Sequence, residues 1–224
     1  MPADPARHPV TLYPVALNVA GRACLVVGGG PVAAGKVAGL VRSGAAVTVV
    51  APAVVEAVEA LSTPQNAPGP GTVTVDRRPY RSGEAAGYRL VVTATGIPEV
   101  DAAVAADAEA AGVWVNSADD PDHCSFYLPS VHRDGPVTIA VSTGGASPAL
   151  ATWLRRRAGQ QLGPELGTLA VLLEEARRRL QTAGRRTDSV DWRALLDGPL
   201  PQLVRDGQTD EARRLLAEAT GLSG

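Results

Sequence analysis

Excess charge, cysteine, histidine and long apolar runs are all scarce in this chain, and each scarcity removes a class of answer. The 224 residues carry 21 basic and 23 acidic side chains for a formal net charge of -2. That balance gives no field for tracking a phosphate backbone or lying on an anionic membrane, so neither nucleic acid nor membrane is an expected partner. The longest apolar run, AVTVVAPAVV, is too short to span a bilayer, and the N-terminal MPADPARHPV lacks the apolar centre of a signal peptide. The two cysteines, Cys24 in an apolar run and Cys124 in DHCSF, lack metal-ligand spacing and read as inert, reduced thiols of a cytoplasmic protein. His8, His123 and His132 are the only histidines and are too scattered for a stored metal, so no metal-binding residue is expected. Lysine occurs once, at Lys36, so the dominance of Ala, Gly, Val and Arg reflects a compositional bias of the source.

What is present is order. RACLVVG, PVAAGKVAGLVRSG, AAVTVVAP and AVVEAVEALS alternate short β-branched runs with helical periods. This is the pattern of βαβ units and a doubly wound parallel sheet, a Rossmann-like α/β fold. After the Pro/Gly/Asn-rich STPQNAPGPG come two more strands, TVTVDRR and RLVVTATG, then the helix PEVDAAVAADAEAAG and the strand VWVNSA. Pro98 at a first helical turn and Gly112 just past a helix end mark ordinary helix boundaries. FYLPSVHRDGPVTIAVST reads as two strands joined by a turn, and the chain from Ser147 onward reads as helices with apolar residues at three- and four-residue spacing. Three parts are expected: residues 1–115 as the dinucleotide-binding domain, 116–147 as a small central β/α module, and 148–224 as a helical region.

The stretch CLVVGGGPVAAGK passes from a strand through three glycines into a helix, and Gly28, Gly30 and Ala33 fit G-x-G-x-x-G/A in the required context. The first glycine permits the tight turn, the second lets the backbone approach a pyrophosphate, and the small third residue lets helix and strand pack closely. Unpaired N–H groups at the helix start would face the phosphates. The competing reading is a structural turn that binds nothing. The expected cofactor contacts are Gly28, Gly29, Gly30, Pro31 and Val32 at the turn, Ala51, Pro52 and Ala53 after the second strand, and Thr95 after the fourth. The second strand ends without the Asp or Glu that would hold ribose hydroxyls, and without an arginine for a 2′-phosphate. Ribose recognition must come from backbone or from elsewhere, and the fingerprint leaves NAD and NADP open. Asp119 and Asp120 follow the fifth strand, where ligands of open parallel sheets sit, although Asp-Asp-Pro is also a common turn. His132, in SVHRDG, reads either as a hairpin turn residue or as a substrate contact.

The segments YPVALNVAGRACLVVGGGPVAAGKVAGLVRSGAAVTVVAP and NSADDPDHCSFYLPSVHRDGPVTIAVSTGGASPALATWLR resemble the siroheme synthase family, with the likeness running from about Tyr13 to about Arg157. The second segment, with N-x-x-D, F-x-x-P-S and S-T-G-G-x-S-P, is the more specific. The resemblance implies oxidation of precorrin-2 to sirohydrochlorin with NAD as acceptor, and in bifunctional members insertion of ferrous iron, a substrate, to give siroheme. It implies a homodimer interlocked through the central segment. It places the essential aspartate on Asp119, the first motif position on Asn116, and a basic helix position on Lys36. Substrate contacts fall on Asn116, Ser142, Thr143, Gly144 and His132, with Thr143 standing where serine is usual. The loop after the fourth strand, commonly acidic in the family, is ATGIPE here, and a fused methyltransferase domain is not expected because the chain stops at Gly224.

Precorrin-2 carries eight carboxylates, so cationic partners are expected, and Arg133, Arg155, Arg156 and Arg157 are candidates. A basic run at a helix end also has the plain reading of complementing the helix dipole. Two alternatives stay beside the enzyme reading: a non-catalytic NAD(H)-sensing module, and a dehydrogenase without chelatase activity.

Overall fold

The computed structural model describes residues 11–118 and 120–222, so the readings of the first ten residues, with His8, and of Asp119 lie outside the described residues. The chain divides into two compact units, Met1–Leu128 and Pro129–Gly224.

The first unit is built on β1 (Ala23–Val27), β2 (Ala46–Val50), β3 (Thr72–Asp76), β4 (Leu90–Thr93) and β5 (Trp114–Ser117). All pair in parallel, in the order β3-β2-β1-β4-β5. ACLVV and AVTVV carry little polar alternation because helices cover both faces of the sheet. On one face α1 (Pro31–Arg42) turns Ala33, Ala34, Val37 and Val41 inward onto Val26, Val47 and Val49. On the other, α3 (Pro98–Ala110) sets Val104, Ala105 and Ala108 against Leu25, Val27, Val50 and Val91. Each valine fully withdrawn from water stabilises the unit by about 1.5–3 kcal/mol before entropy is counted. The chain order reverses between β1 and β4, which makes their C-terminal ends the crevice of the sheet. A short α2 (Glu56–Ser62) follows β2.

Three expectations change here. β5 runs through Ser117 because Asn116 and Ser117 pair with Val92 and Thr93, so the boundary anticipated at 115/116 falls inside a strand. Phe126, read as the start of a hairpin strand, packs on the first unit's core instead. His132 lies within β6 rather than in a turn; the turn holds Gly135, at φ 51°.

The second unit opens with the antiparallel pair β6 (Ser130–Asp134) and β7 (Val137–Val141), followed by α4 (Pro148–Leu162) and α5 (Leu166–Thr182). Next come α6 (Trp192–Leu196), α7 (Leu200–Arg205) and α8 (Thr209–Thr220). Its core gathers Leu169, Leu172, Leu200, Val204, Ala212 and Leu216 from α5, α7 and α8. The sequence reading missed α7, whose prolines at 199 and 201 look like breakers but sit at its first turn, where proline is tolerated. Among the described residues, no helix is long and apolar enough to cross a membrane.

Candidate dinucleotide site

The glycine turn separates into residues that packing requires and one that it does not. Gly28 has φ 122°, and a Cβ there would fall on the Ala94 carbonyl; a Cβ on Gly29 would strike the Ala53 carbonyl. These two are glycine so that the loops after β2 and β4 can close on the turn. Gly28 N–H donates to Val50 O at 3.0 Å, and Val55 N–H donates to Gly29 O at 2.8 Å. Gly30 is different: it has extended backbone at φ −80°, and a Cβ would meet nothing within 4 Å. Its bareness leaves open space at the start of α1.

That helix start has no side-chain cap among the described residues, and Pro31 occupies its first turn. The first N–H groups of a helix have no intrahelical acceptor and carry the positive end of the dipole, so the open position beside Gly30 suits an anionic group. Ala33, fully buried, allows the close helix-to-strand approach. Val32 in the first turn of α1 and Ile97 just before α3 are each about half exposed, 51% and 53%. Ala51, Pro52 and Ala53 carry no polar side chain and have only their backbone to offer a ligand. The fit to a dinucleotide is therefore good at the pyrophosphate, and at the end of β2 it rests on backbone.

Thr95 is held rather than free. Its hydroxyl donates to Asp101 Oδ1 at 2.8 Å and its N–H to the same oxygen at 3.2 Å, while Thr93 also donates its hydroxyl to Asp101. Asp101, a buried carboxylate on the first turn of α3, thus fixes the loop after β4 against Gly28. The sequence reading missed it; its one signal was an acid one turn past Pro98 at a helix start.

The N-x-x-D segment is also internally anchored. Asn116 is buried, and its amide donates to Phe126 O at 3.0 Å and to Cys124 Sγ at 3.4 Å. Its side chain shapes the loop, a role the substrate-contact reading did not anticipate. Ala118 N–H donates to Thr93 O at 2.9 Å, which carries the segment along the tip of β4. Asp120 accepts from Asp122 N–H at 3.0 Å and pairs with His123 Nδ1 at 2.6 Å, so it is the turn residue of Asp-Asp-Pro. Burial pushes the Cys124 thiol up from its ordinary value, opposed by a hydrogen bond from Ser117 and by the nearby Lys36 charge. Burial alone raises Cys24 to about 11. Burial thus favours the protonated form of both thiols.

The remaining candidates belong to the second unit. Thr143 donates its hydroxyl to Ser147 O at 3.1 Å and accepts from Ser147 N–H at 3.0 Å, closing the loop that precedes α4. Gly144 and Gly145 have φ 61° and 87° there, and Gly144 N–H donates to Ser142 Oγ at 3.2 Å. His132 packs its ring against Gly159 of α4, where a Cβ would lie 2.9 Å from the imidazole. Arg155 Nε donates to Ser130 Oγ at 3.0 Å, Arg157 lies 5.4 Å over the Trp153 ring, and Arg133 donates to Thr138 Oγ1 at 3.0 Å.

Comparison with known proteins agrees with this geometry. Residues 15–130 match the family model described as "Putative NAD(P)-binding", and residues 134–157 match that of the central part of sirohaem biosynthesis proteins. Siroheme synthases of Methylococcus capsulatus and Nitrosococcus oceani are each 37% identical over 208 residues, covering 92% of this chain and 43% of theirs. That of Nitrosomonas europaea is 35% identical over the same share. This chain thus spans under half the length of these curated relatives. A solved structure titled SirC, precorrin-2 dehydrogenase, superposes with a TM-score of 0.67 at 23% identity, covering 95% of this chain and 100% of that one. At that identity the likeness speaks for the fold.

Proposed function

We propose, from the premise that the chain belongs to the siroheme synthase family, that it oxidises precorrin-2 to sirohydrochlorin with NAD as acceptor. The observation that carries the reading is Gly30, a glycine that packing does not require, set at an uncapped helix start in the crevice of a parallel sheet. When bound, NAD supplies the hydride acceptor; the reaction also releases one proton.

Asp119 is our assignment for the group that takes that proton. It follows β5, whose end is tied to β4 through Ala118 and Thr93 and anchored on the far side by Asp120. A carboxylate at the C-terminal edge of the sheet is where a base for a ligand in the crevice belongs. Asn116 and Asp101 position the loops that follow β5 and β4. Lys36, Ser142, Thr143, Gly144, His132 and Arg155 to Arg157 are proposed to serve the acidic substrate.

The partner is a second copy of the chain. β6 and β7 form a two-stranded sheet that rests on α4 yet buries none of its residues fully, so a partner would add the packing surface it lacks. On α4 Leu150, Trp153 and Leu154 form an exposed i, i+3, i+4 stripe, 46%, 54% and 37% accessible, of the kind that marks a contact face. We place the chain in the cytoplasm, in keeping with its two free cysteines.

The test is the Asp119→Asn variant, assayed anaerobically in single turnover with precorrin-2 and saturating NAD. Oxidation should fall on the order of a hundredfold while NAD still binds, as for loss of a general base. A near-wild-type rate would remove the assignment. A parallel arm with sirohydrochlorin and ferrous iron decides whether the chain also inserts the metal.

A further inference from the structure

The end of β2 offers no side chain to the adenosine ribose, and the neighbouring strand supplies what it lacks. Ala51 N–H donates to Asp76 O at 3.2 Å, and Arg78 N–H donates to Ala51 O at 3.1 Å. Residues 76 to 78 therefore continue alongside the segment where this fold reads the ribose hydroxyls, and where an arginine accommodates the 2′-phosphate of NADP. Arg78 would be the cation for that task, but it is already occupied. Its guanidinium makes a bidentate pair with Glu84, Nη1 to Oε1 at 3.0 Å and Nη2 to Oε2 at 2.8 Å, and Nη2 also reaches Asp76 Oδ2 at 3.2 Å.

The arrangement is held from several sides. Glu84 also accepts from Arg81 N–H at 2.9 Å, and its side chain is 18% exposed against 24% for Arg78. The other cation on this stretch, Arg77, is paired with Glu59 of α2. Two carboxylates against one guanidinium leave Arg78 more than neutralised, and a planar fork satisfied by a carboxylate has no free face for a phosphate.

We propose that the Asp76–Arg78–Glu84 cluster makes the choice between the two dinucleotides, withholding Arg78 from a 2′-phosphate and admitting NAD. The proposal rests on the dinucleotide-binding reading of the glycine turn and adds the residues that select the cofactor. The selecting carboxylates stand on β3 and the turn after it, where the usual fingerprint looks only at β2.

The experiment titrates the full chain with NAD and with NADP by calorimetry, for wild type, Asp76→Asn, Glu84→Gln and the double variant. Wild type should bind NAD about tenfold or more tighter than NADP. Freeing Arg78 in the double variant should reduce that ratio by about tenfold, and adding Arg78→Ala should restore it. The wild-type ratio should also narrow in about 1 M salt, where screening shortens the reach of charge to about 3 Å; this arm needs no variant. Equal wild-type affinities, or a ratio unmoved by both the double variant and salt, would overturn the proposal while leaving dinucleotide binding intact. Binding of neither dinucleotide by folded protein would instead overturn the site itself, and the selection with it.

Discussion

The two units solve the problem of burial in opposite ways. In the first, a five-stranded sheet is covered on both faces, and Val26, Val37, Val49, Val91 and Val104 are wholly inaccessible. In the second, α5, α7 and α8 share a core on which Trp192 and Leu195 of α6 pack, while α4 buries one described residue, Ala151, and shows Leu150 and Trp153 to the outside. A saturated core can hold a ligand turn rigidly at its edge; an unsaturated one is suited to a partner. The difference is in keeping with the proposed roles, cofactor binding in the first unit and self-association in the second.

The largest effect that would break this division is at Gly30. Gly30→Asp leaves the turn sterically unchanged but aims a carboxylate at the phosphate position, so NAD affinity should fall about a hundredfold or more with circular dichroism unaltered. Unchanged affinity would make the turn structural only. Gly28→Ala should act oppositely, destabilising the first unit by about 1–3 kcal/mol in urea unfolding, because its Cβ meets the Ala94 carbonyl at a φ of 122°. On the second unit, Leu150→Glu with Trp153→Glu should convert a dimer to monomer in light scattering, by about 2 kcal/mol or more of association energy, without moving NAD affinity. A wild-type chain that is monomeric at every concentration would remove the proposed partner.

The smallest effect concerns acid. A hydrogen bond from Gly83 N–H holds Asp107 below its ordinary value, bonds from Arg78 and Arg81 overcome burial to hold Glu84 down, and Arg205 holds Glu165 down. Groups with depressed folded values contribute stability that is full above their unfolded values, near 4, and is lost as pH falls through the folded ones. Melting temperature should therefore be flat from pH 7 to about pH 5 and decline below about pH 4. A rise in stability over that last interval would contradict the pairings.

Much of this was legible in the residues. The glycine turn, the five parallel strands and the helical tail follow from periodicity and from where Gly and Pro stand, because those are local constraints. What was not legible depends on chain segments meeting at a distance. Asp101 reads as one more acid on an alanine-rich helix until Thr93 and Thr95 are seen to donate to it. Arg78 reads as the last residue of the strand TVTVDRR until Glu84 is seen to fold back on it. Asn116 stands out in its motif, but a motif marks a position without saying that its amide donates to Phe126 O. That the His132 ring also packs against Gly159 of α4 depends likewise on segments that meet at a distance.

Everything above turns on the proposed coupling of precorrin-2 oxidation to NAD held at the glycine turn. It is tested most directly by mixing the purified chain anaerobically with precorrin-2 and NAD, following NADH absorbance and sirohydrochlorin together. One NADH should form for each sirohydrochlorin, and neither product should appear with Gly30→Asp. Sirohydrochlorin appearing without NADH, or a folded, NAD-binding chain that forms neither, would contradict it.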